Sequence, residues 1–357
     1  MRLHKIQFLL LFLFACMVGN TFAQNQLPDK LQGSQLTPAL VNKLLNNREA
    51  TYMLATRPSE SHRQLVEIFE MSASSGEAIS RTPTHLQCHR VHQNKNGQIL
   101  CLSNFDPTQS NQQYSMPVAL LYDSQLKLQK KLFSSAENHL ISRARMSPNG
   151  QWSSWTFMTP GHSYLDAGSA SFSTEAWLVP NGPKNEAAVN LETWPLFHQK
   201  QLVKAIDKNI WGVSFSPTNP DLFYVTAFFK GKPYLAKGSL QNKKLETIKE
   251  GIECPSVSPN GLMIAFKKRV SSNKWAPAVM NLQSGKETVF KQAEHSVDDQ
   301  IEWLDHQSIV YHINKNSFFG KNETHLMRLD IIRGANAQAW FWVADAYSPG
   351  FKRNKNF

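Results

Sequence analysis

A tight turn of the Pro-Asn-Gly kind recurs along this chain, each time between short apolar stretches rich in aromatic residues. The two clearest copies are residues 145–157, Arg-Met-Ser-Pro-Asn-Gly-Gln-Trp-Ser-Ser-Trp-Thr-Phe, and residues 255–266, Pro-Ser-Val-Ser-Pro-Asn-Gly-Leu-Met-Ile-Ala-Phe. Proline fixes φ at the first central position of such a turn, and Asn-Gly tolerates the positive φ that a hairpin demands. The residues after Gly261 then run apolar, as a buried strand does.

Turn signals fall near Asn47, Gly97, Gly150, Asn219, Gly261 and His306. Two are degenerate: residues 217–220 lack the glycine, and residues 304–307 lack both proline and glycine. Strand-like runs still follow both, at 221–227 and 308–313. A strand-turn-strand unit repeated every forty to fifty residues is the mark of a β-propeller blade. The expected fold is all-β: a six-bladed β-propeller of four-stranded antiparallel blades behind an N-terminal signal peptide. The interval from Gly150 to Asn219 is 69 residues and must hold an insertion, placed at 161–190 by its Gly, Ser and Ala content. A seventh blade inside that interval is the less favoured alternative. Residues 339–349 are expected to close the ring, because an open blade would expose unpaired strand edges.

Residues 1–23 have the form of a secretory signal. Arg2, His4 and Lys5 precede an apolar segment, and Thr-Phe-Ala ends at Ala23 before Gln24. Cleavage as a lipoprotein at Cys16 is the alternative. Four segments follow: the signal at 1–23, an extension at 24–45, the propeller at 46–351 and a basic tail at 352–357. The extension carries a short helix in which Thr37 caps, Pro38 opens the first turn, and Leu40, Val41, Leu44 and Leu45 share a face. No later segment is apolar enough to cross a membrane. Localisation is therefore expected to be periplasmic or secreted, and the protein a monomer.

The chain holds 38 Lys and Arg against 27 Asp and Glu, a formal net charge of +11. Such an excess favours an envelope protein or an anionic glycan as partner over nucleic acid, for which no motif appears. Cys88 and Cys101 flank the hairpin at Asn96-Gly97 and are expected to form a disulfide in an oxidising compartment. Cys254 is left over, buried at a strand start.

The turn copies at 145–157 and 255–266 resemble the repeat of the TolB-like propellers, with Asn149 and Asn260 where aspartate is usual. Residues 143–148, 209–215, 253–259, 264–270 and 296–305 extend the resemblance to the exported TolB-like translocation propeller proteins. It implies a six-bladed ring and little about activity. TolB itself carries an α/β domain ahead of its propeller, and nothing in residues 24–45 corresponds to it, so the resemblance is one of fold.

Chemistry is weakly signalled. The nearest match to a serine-peptidase elbow, at 161–165, lacks the final glycine, and the peptidase reading is rejected. A metal-dependent lyase or hydrolase acting on acidic saccharides would need clustered histidines, and His89, His92, His162, His198, His295, His312 and His325 are scattered. Asp298, Asp299 and Glu302 form one acidic cluster. It is expected to make ion pairs with Lys267, Lys268 and Arg143 or Arg145 of neighbouring blades rather than to bind a cation. The favoured function is a non-enzymatic binding module without cofactor or metal. Its candidate rim and channel residues are Arg143, Arg145, Trp211, Lys267, Lys268, Arg269, Asp298, Asp299 and Glu302, with 161–190 as a lid.

Overall fold

In the computed structural model each turn signal from Gly97 onward joins the innermost strand of a separate sheet to the strand beside it. The structure describes residues 51–351, apart from 59–63, 72–77, 109–115, 136–138, 160–165, 168, 183–186, 273, 292–295, 298–299, 317–321 and 345–346. The signal, the extension with its helix and the basic tail lie outside the described residues.

Sheet 1 contains β1 (Thr51–Pro58), β2 (Gln64–Met71) and β3 (Ala78–Gln87). Sheet 2 is β4 (Arg90–Gln93), β5 (Ile99–Ser103), β6 (Val118–Tyr122) and β7 (Leu128–Ser134). Sheet 3 is β8 (Leu140–Met146), β9 (Trp152–Met158), β10 (Thr174–Pro180) and β11 (Val189–Asn190). Sheet 4 takes β12 (Leu196–His198), β13 (Gln201–Leu202), β14 (Asn209–Phe215), β15 (Leu222–Phe229), β16 (Lys232–Ser239) and β17 (Lys244–Glu250). Sheet 5 is β18 (Glu253–Val257), β19 (Met263–Ser271), β20 (Lys274–Asn281) and β21 (Glu287–Val289). Sheet 6 is β22 (Glu302–Trp303), β23 (Ser308–Asn316), β24 (Asn322–Asp330) and β25 (Ala339–Ala344). The last strand, β26 (Tyr347–Phe351), pairs antiparallel with β1 and completes sheet 1.

This is an all-β propeller arrangement. The innermost strands β26, β4, β8, β14, β18 and β22 lie side by side in that order, and β22 returns to β26. The end of the chain thus supplies the inner strand of the sheet that the start of the chain builds, which leaves sheet 1 without an open inner edge. The expected closing material divides: β25 is the outer strand of its own sheet, and only β26 closes.

Among the described residues five sheets have four strands; the sixth corrects the expectation of uniform antiparallel blades. Sheet 4 has six strands, because β12 pairs in parallel with the outer strand β17 and β13 turns back on β12. The long interval therefore holds an added edge at 196–202, beyond the 161–190 expected from composition, where β10 and β11 complete sheet 3, and among the described residues it holds no seventh sheet. A single 3-10 turn at Leu191–Thr193, capped by Asn190 Oδ1, leads into this edge.

Three inner strands share one irregularity. β8, β14 and β18 each bulge against their partners, with Arg143, Gly212 and Cys254 at positive φ of 62°, 67° and 52°. Only glycine adopts that conformation freely. The cores lie between successive sheets. Ala265, Trp275 and Phe290 of sheet 5 pack against Ile301, Trp303, Ile309 and Tyr311 of sheet 6. On its other side, sheet 5 packs Ile264 and Phe266 against Tyr224 and Leu235 of sheet 4. The expected disulfide is present, joining Cys88 to Cys101 with a Cα–Cα distance of 5.4 Å. Cys254 is buried and free, as expected.

Candidate functional site

The turns at 147–150, 258–261 and their counterparts lie at one end of the ring, the turn face. Inner strands therefore begin at the opposite end, the loop face. Residues Arg143, Trp211 and Glu253 sit at that loop end, one level above Arg145 and Glu302.

Arg145 and Glu302 form an ion pair, and both are buried. Arg145 also donates from Nη1 to the Ala144 carbonyl at 2.8 Å. Their strands, β8 and β22, are separated by two intervening inner strands in either direction around the ring, so the pair spans the central axis. The expectation was ion pairing between neighbouring blades. The partner of Glu302 comes instead from the far side of the ring, on β8.

Trp211 corrects the rim assignment more sharply. It is fully buried, stacked at 6.0 Å on Phe228 and edge-on to Phe172 at 6.3 Å, in a cluster with Met158 and Cys254. Its ring is core. Lys268 also leaves the candidate set: its Nζ lies 3.3 Å from Glu287 Oε2 within its own sheet, and Lys249 reaches the same carboxylate at 3.0 Å. Arg143 is buried at the bulge of β8. Asp298 and Asp299 lie outside the described residues.

Lys267 and Arg269 do come together, on a residue not singled out from the sequence. Lys267 Nζ stands 5.2 Å, and Arg269 Cζ 4.8 Å, from the centre of the Trp275 ring. Strand alternation puts both cations on the same face as Ala265, which packs toward sheet 6, while Lys268 takes the opposite face with Phe266. Trp275 is the direct cross-strand partner of Arg269, and its Nε1 donates to Glu253 Oε1 at 2.9 Å. A hairpin at 271–274 would have put Trp275 opposite Arg269 in the sequence, and that pairing was the available signal.

The junctions between sheets repeat a polar link. Thr156 Oγ1 accepts from Gly212 N at 3.5 Å, and Thr226 Oγ1 accepts from Cys254 N at 2.7 Å. Deeper, His92 Nδ1 accepts from Met146 N at 3.1 Å and Ser214 Oγ from Val257 N at 3.0 Å. Glu192, which no sequence motif marks, does similar work between sheets 3 and 4. Its Oε1 accepts from Ile210 N and from Thr174 Oγ1. Burial dominates there and pushes its carboxyl up to about 8, against the opposing pull of the Ile210 N–H and Lys208.

The histidines stay apart. His89 and His92 serve sheet 2, His198 the added edge, and His312 and His325 the strands β23 and β24. Burial, with Arg90 adding to it, pushes His89 down to about 4. Among the described residues no group of three or more His, Cys, Asp or Glu is placed to hold a metal ion. His162 and His295 fall outside the described residues. No helix among the described residues is long and apolar enough to cross a membrane.

Comparison with solved structures reaches the same architecture. TolB from Acinetobacter baumannii superimposes with a TM-score of 0.58 over 85% of this chain and 67% of that one, at 14% identity. The fold is TolB-like. The nidogen/laminin complex contains a chain that aligns with a TM-score of 0.53, covering 85% of this chain and 98% of that one at 9% identity. A puromycin-hydrolysing peptidase of Mycobacterium tuberculosis aligns at 0.48 and 10% identity, over 81% of this chain and 44% of its own. No family model and no curated protein matches the sequence.

Proposed function

We propose that this chain is an exported, non-enzymatic binding module whose six sheets are the six blades of one ring, and that it engages a protein partner of the cell envelope through its loop face. The observation that carries the reading is the Arg145–Glu302 pair. With the axis crossed by a buried ion pair, recognition falls to the loop face, where rigid inner strands begin and the sheet-to-sheet connections converge. The TolB-like fold supports a protein as partner, and the signal at 1–23 would deliver the chain to the periplasm or beyond. No cofactor is invoked, and a single copy suffices.

Site-specific photo-crosslinking in an envelope fraction tests this. Leu140 and Ile206, both exposed, lie at the loop face, whereas Leu262 and Ile332 are exposed at the turn face. A crosslinker at Leu140 or Ile206 should capture one protein that the turn-face positions do not. Capture confined to Leu262 and Ile332 would overturn the reading, as would chelator-sensitive turnover of polyuronates by the purified protein.

A further inference from the structure

We infer that the loop-face end of the junction between sheets 5 and 6 is a carboxylate site, which on the binding reading above receives an acidic side chain of the protein partner. Two other junctions share a polar link. Thr156 and Thr226 are the cross-strand partners of Ser142 and Trp211, the residues just before the bulges of β8 and β14. Lys267 occupies that place in sheet 5, opposite Glu253. Gln300 lies three residues before Trp303, as Gly212 lies before Phe215 and Cys254 before Val257, so it takes the place of the residues whose N–H groups meet those threonines. A threonine hydroxyl accepts a hydrogen bond, and a lysine ammonium cannot. This junction therefore sets a cation where the others set an acceptor.

Lys267 is buried, yet among the described residues it makes no ion pair or hydrogen bond. Glu253, its cross-strand neighbour, commits Oε1 to the indole of Trp275. Trp275 holds Lys267 and Arg269 through its π face, which orients two cations without consuming any of their N–H donors. Gln300 adds the independent observation. It is 6% exposed, and among the described residues neither Oε1 nor Nε2 of its side chain has a partner. A buried amide is normally satisfied. By this register, Gln300 stands at the same junction as Lys267, just ahead of β22. Lys267 Nζ, Gln300 Nε2 and, at the outer lip, the exposed Arg269 guanidinium thus offer donors to one small anion. A lysine, an amide N–H and an arginine together suit a small oxyanion, and the carboxylate is the one that an acidic side chain of a protein partner presents. The +11 charge of the chain brings acidic partners toward it.

The test is fluorescence anisotropy with a dye-labelled, end-blocked peptide of four consecutive glutamates, against the same peptide built of glutamine, at constant ionic strength. The glutamate peptide should bind at least tenfold more tightly. Lys267→Gln should remove most of that difference, while Lys268→Gln, which deletes the same charge from the other face of β19, should leave affinity within twofold. If Lys267→Gln fails to show a cooperative thermal transition, Arg269→Gln, at an exposed position, should weaken binding severalfold. Sodium acetate should compete, which identifies the carboxylate and not the peptide backbone as the recognised group. Equal losses in Lys267→Gln and Lys268→Gln, no preference for glutamate, or tighter binding of digalacturonate than of the peptide would each overturn the inference. Crosslinking from Leu140 and Ile206 separates this failure from failure of the binding reading. Persistence of the captured partner would sink the carboxylate site alone.

Discussion

Arg145 and Glu302 meet across the axis of the ring from strands that belong to sheets 3 and 6, and both side chains are withdrawn from solvent. Such a pair is costly to break by halves, since either survivor becomes a buried, uncompensated charge. Arg145→Met alone should destabilise by about 3–5 kcal/mol, and Glu302→Leu alone by a similar amount. The double substitution should recover most of the loss. Urea denaturation of the three variants checks this, and additive losses would show that the two groups do not act as a unit.

Much of this was legible in the sequence, and the reason lies in the turns. Gly97, Gly150 and Gly261 have φ of 81°, 72° and 73°, so the residues that announce the repeat are those the backbone requires. The strands behind degenerate turns were legible as well, because residues 222–229 are buried almost throughout. The added edge of sheet 4 was not. β12 and β13 have three and two residues, too few for any periodicity to register. Trp211 misled for a different reason. An aromatic at the start of an inner strand reads as a rim residue, but the bulge at Gly212 turns it into the cluster with Phe172 and Phe228. Periodicity places residues along a strand; it does not say which strand faces them across a ring. That is why the acidic Glu302 was foreseen in an ion pair while its partner's location was not.

The Cys88–Cys101 bridge closes a short loop, with a sequence separation of 13. Its effect should come largely from restricting the unfolded chain, at about 3 kcal/mol. Denaturation with and without reductant should show that loss, and Cys101→Ser should reproduce it. A reduced protein as stable as the oxidised one would contradict the account.

Gly238 lies directly opposite Phe223 in the β15–β16 pair, and the ring of Phe223 covers its backbone so closely that a Cβ could not fit. Phe223 cannot yield, because it is fully buried against Trp194 and Phe215. Gly238→Ala should therefore cost about 1–3 kcal/mol or more through overpacking. At Gly285, with φ of 69° and nothing within 4 Å, the same substitution meets only backbone strain, of order 1 kcal/mol. Thermal unfolding of the two variants should rank them in that order.

Glu192 gives the molecule a pH dependence with a definite sign. Its carboxyl is raised from 4.5 to about 8 by burial, with Glu175 adding to the rise and Ile210 N–H, Lys208 and Thr174 opposing it. Between those two values the folded state holds a proton that the unfolded chain releases, so stability falls as pH climbs. The contribution is fully present below about 4.5, is lost as pH passes through about 8, and changes no further above that. Glu192→Gln keeps the Oε1 acceptor for Ile210 N and Thr174 Oγ1 and removes the titration. Urea midpoints measured from pH 5 to pH 9 should decline in the parent protein and flatten in this variant, after allowance for groups common to both. The decline should be strongest at the seam between sheets 3 and 4, where Glu192 ties the turn at Leu191–Thr193 to β14. Hydrogen exchange of the Ile210 amide, which donates to that carboxyl, is the local readout. An Ile210 amide whose protection is the same in both proteins across this range would place the proton elsewhere.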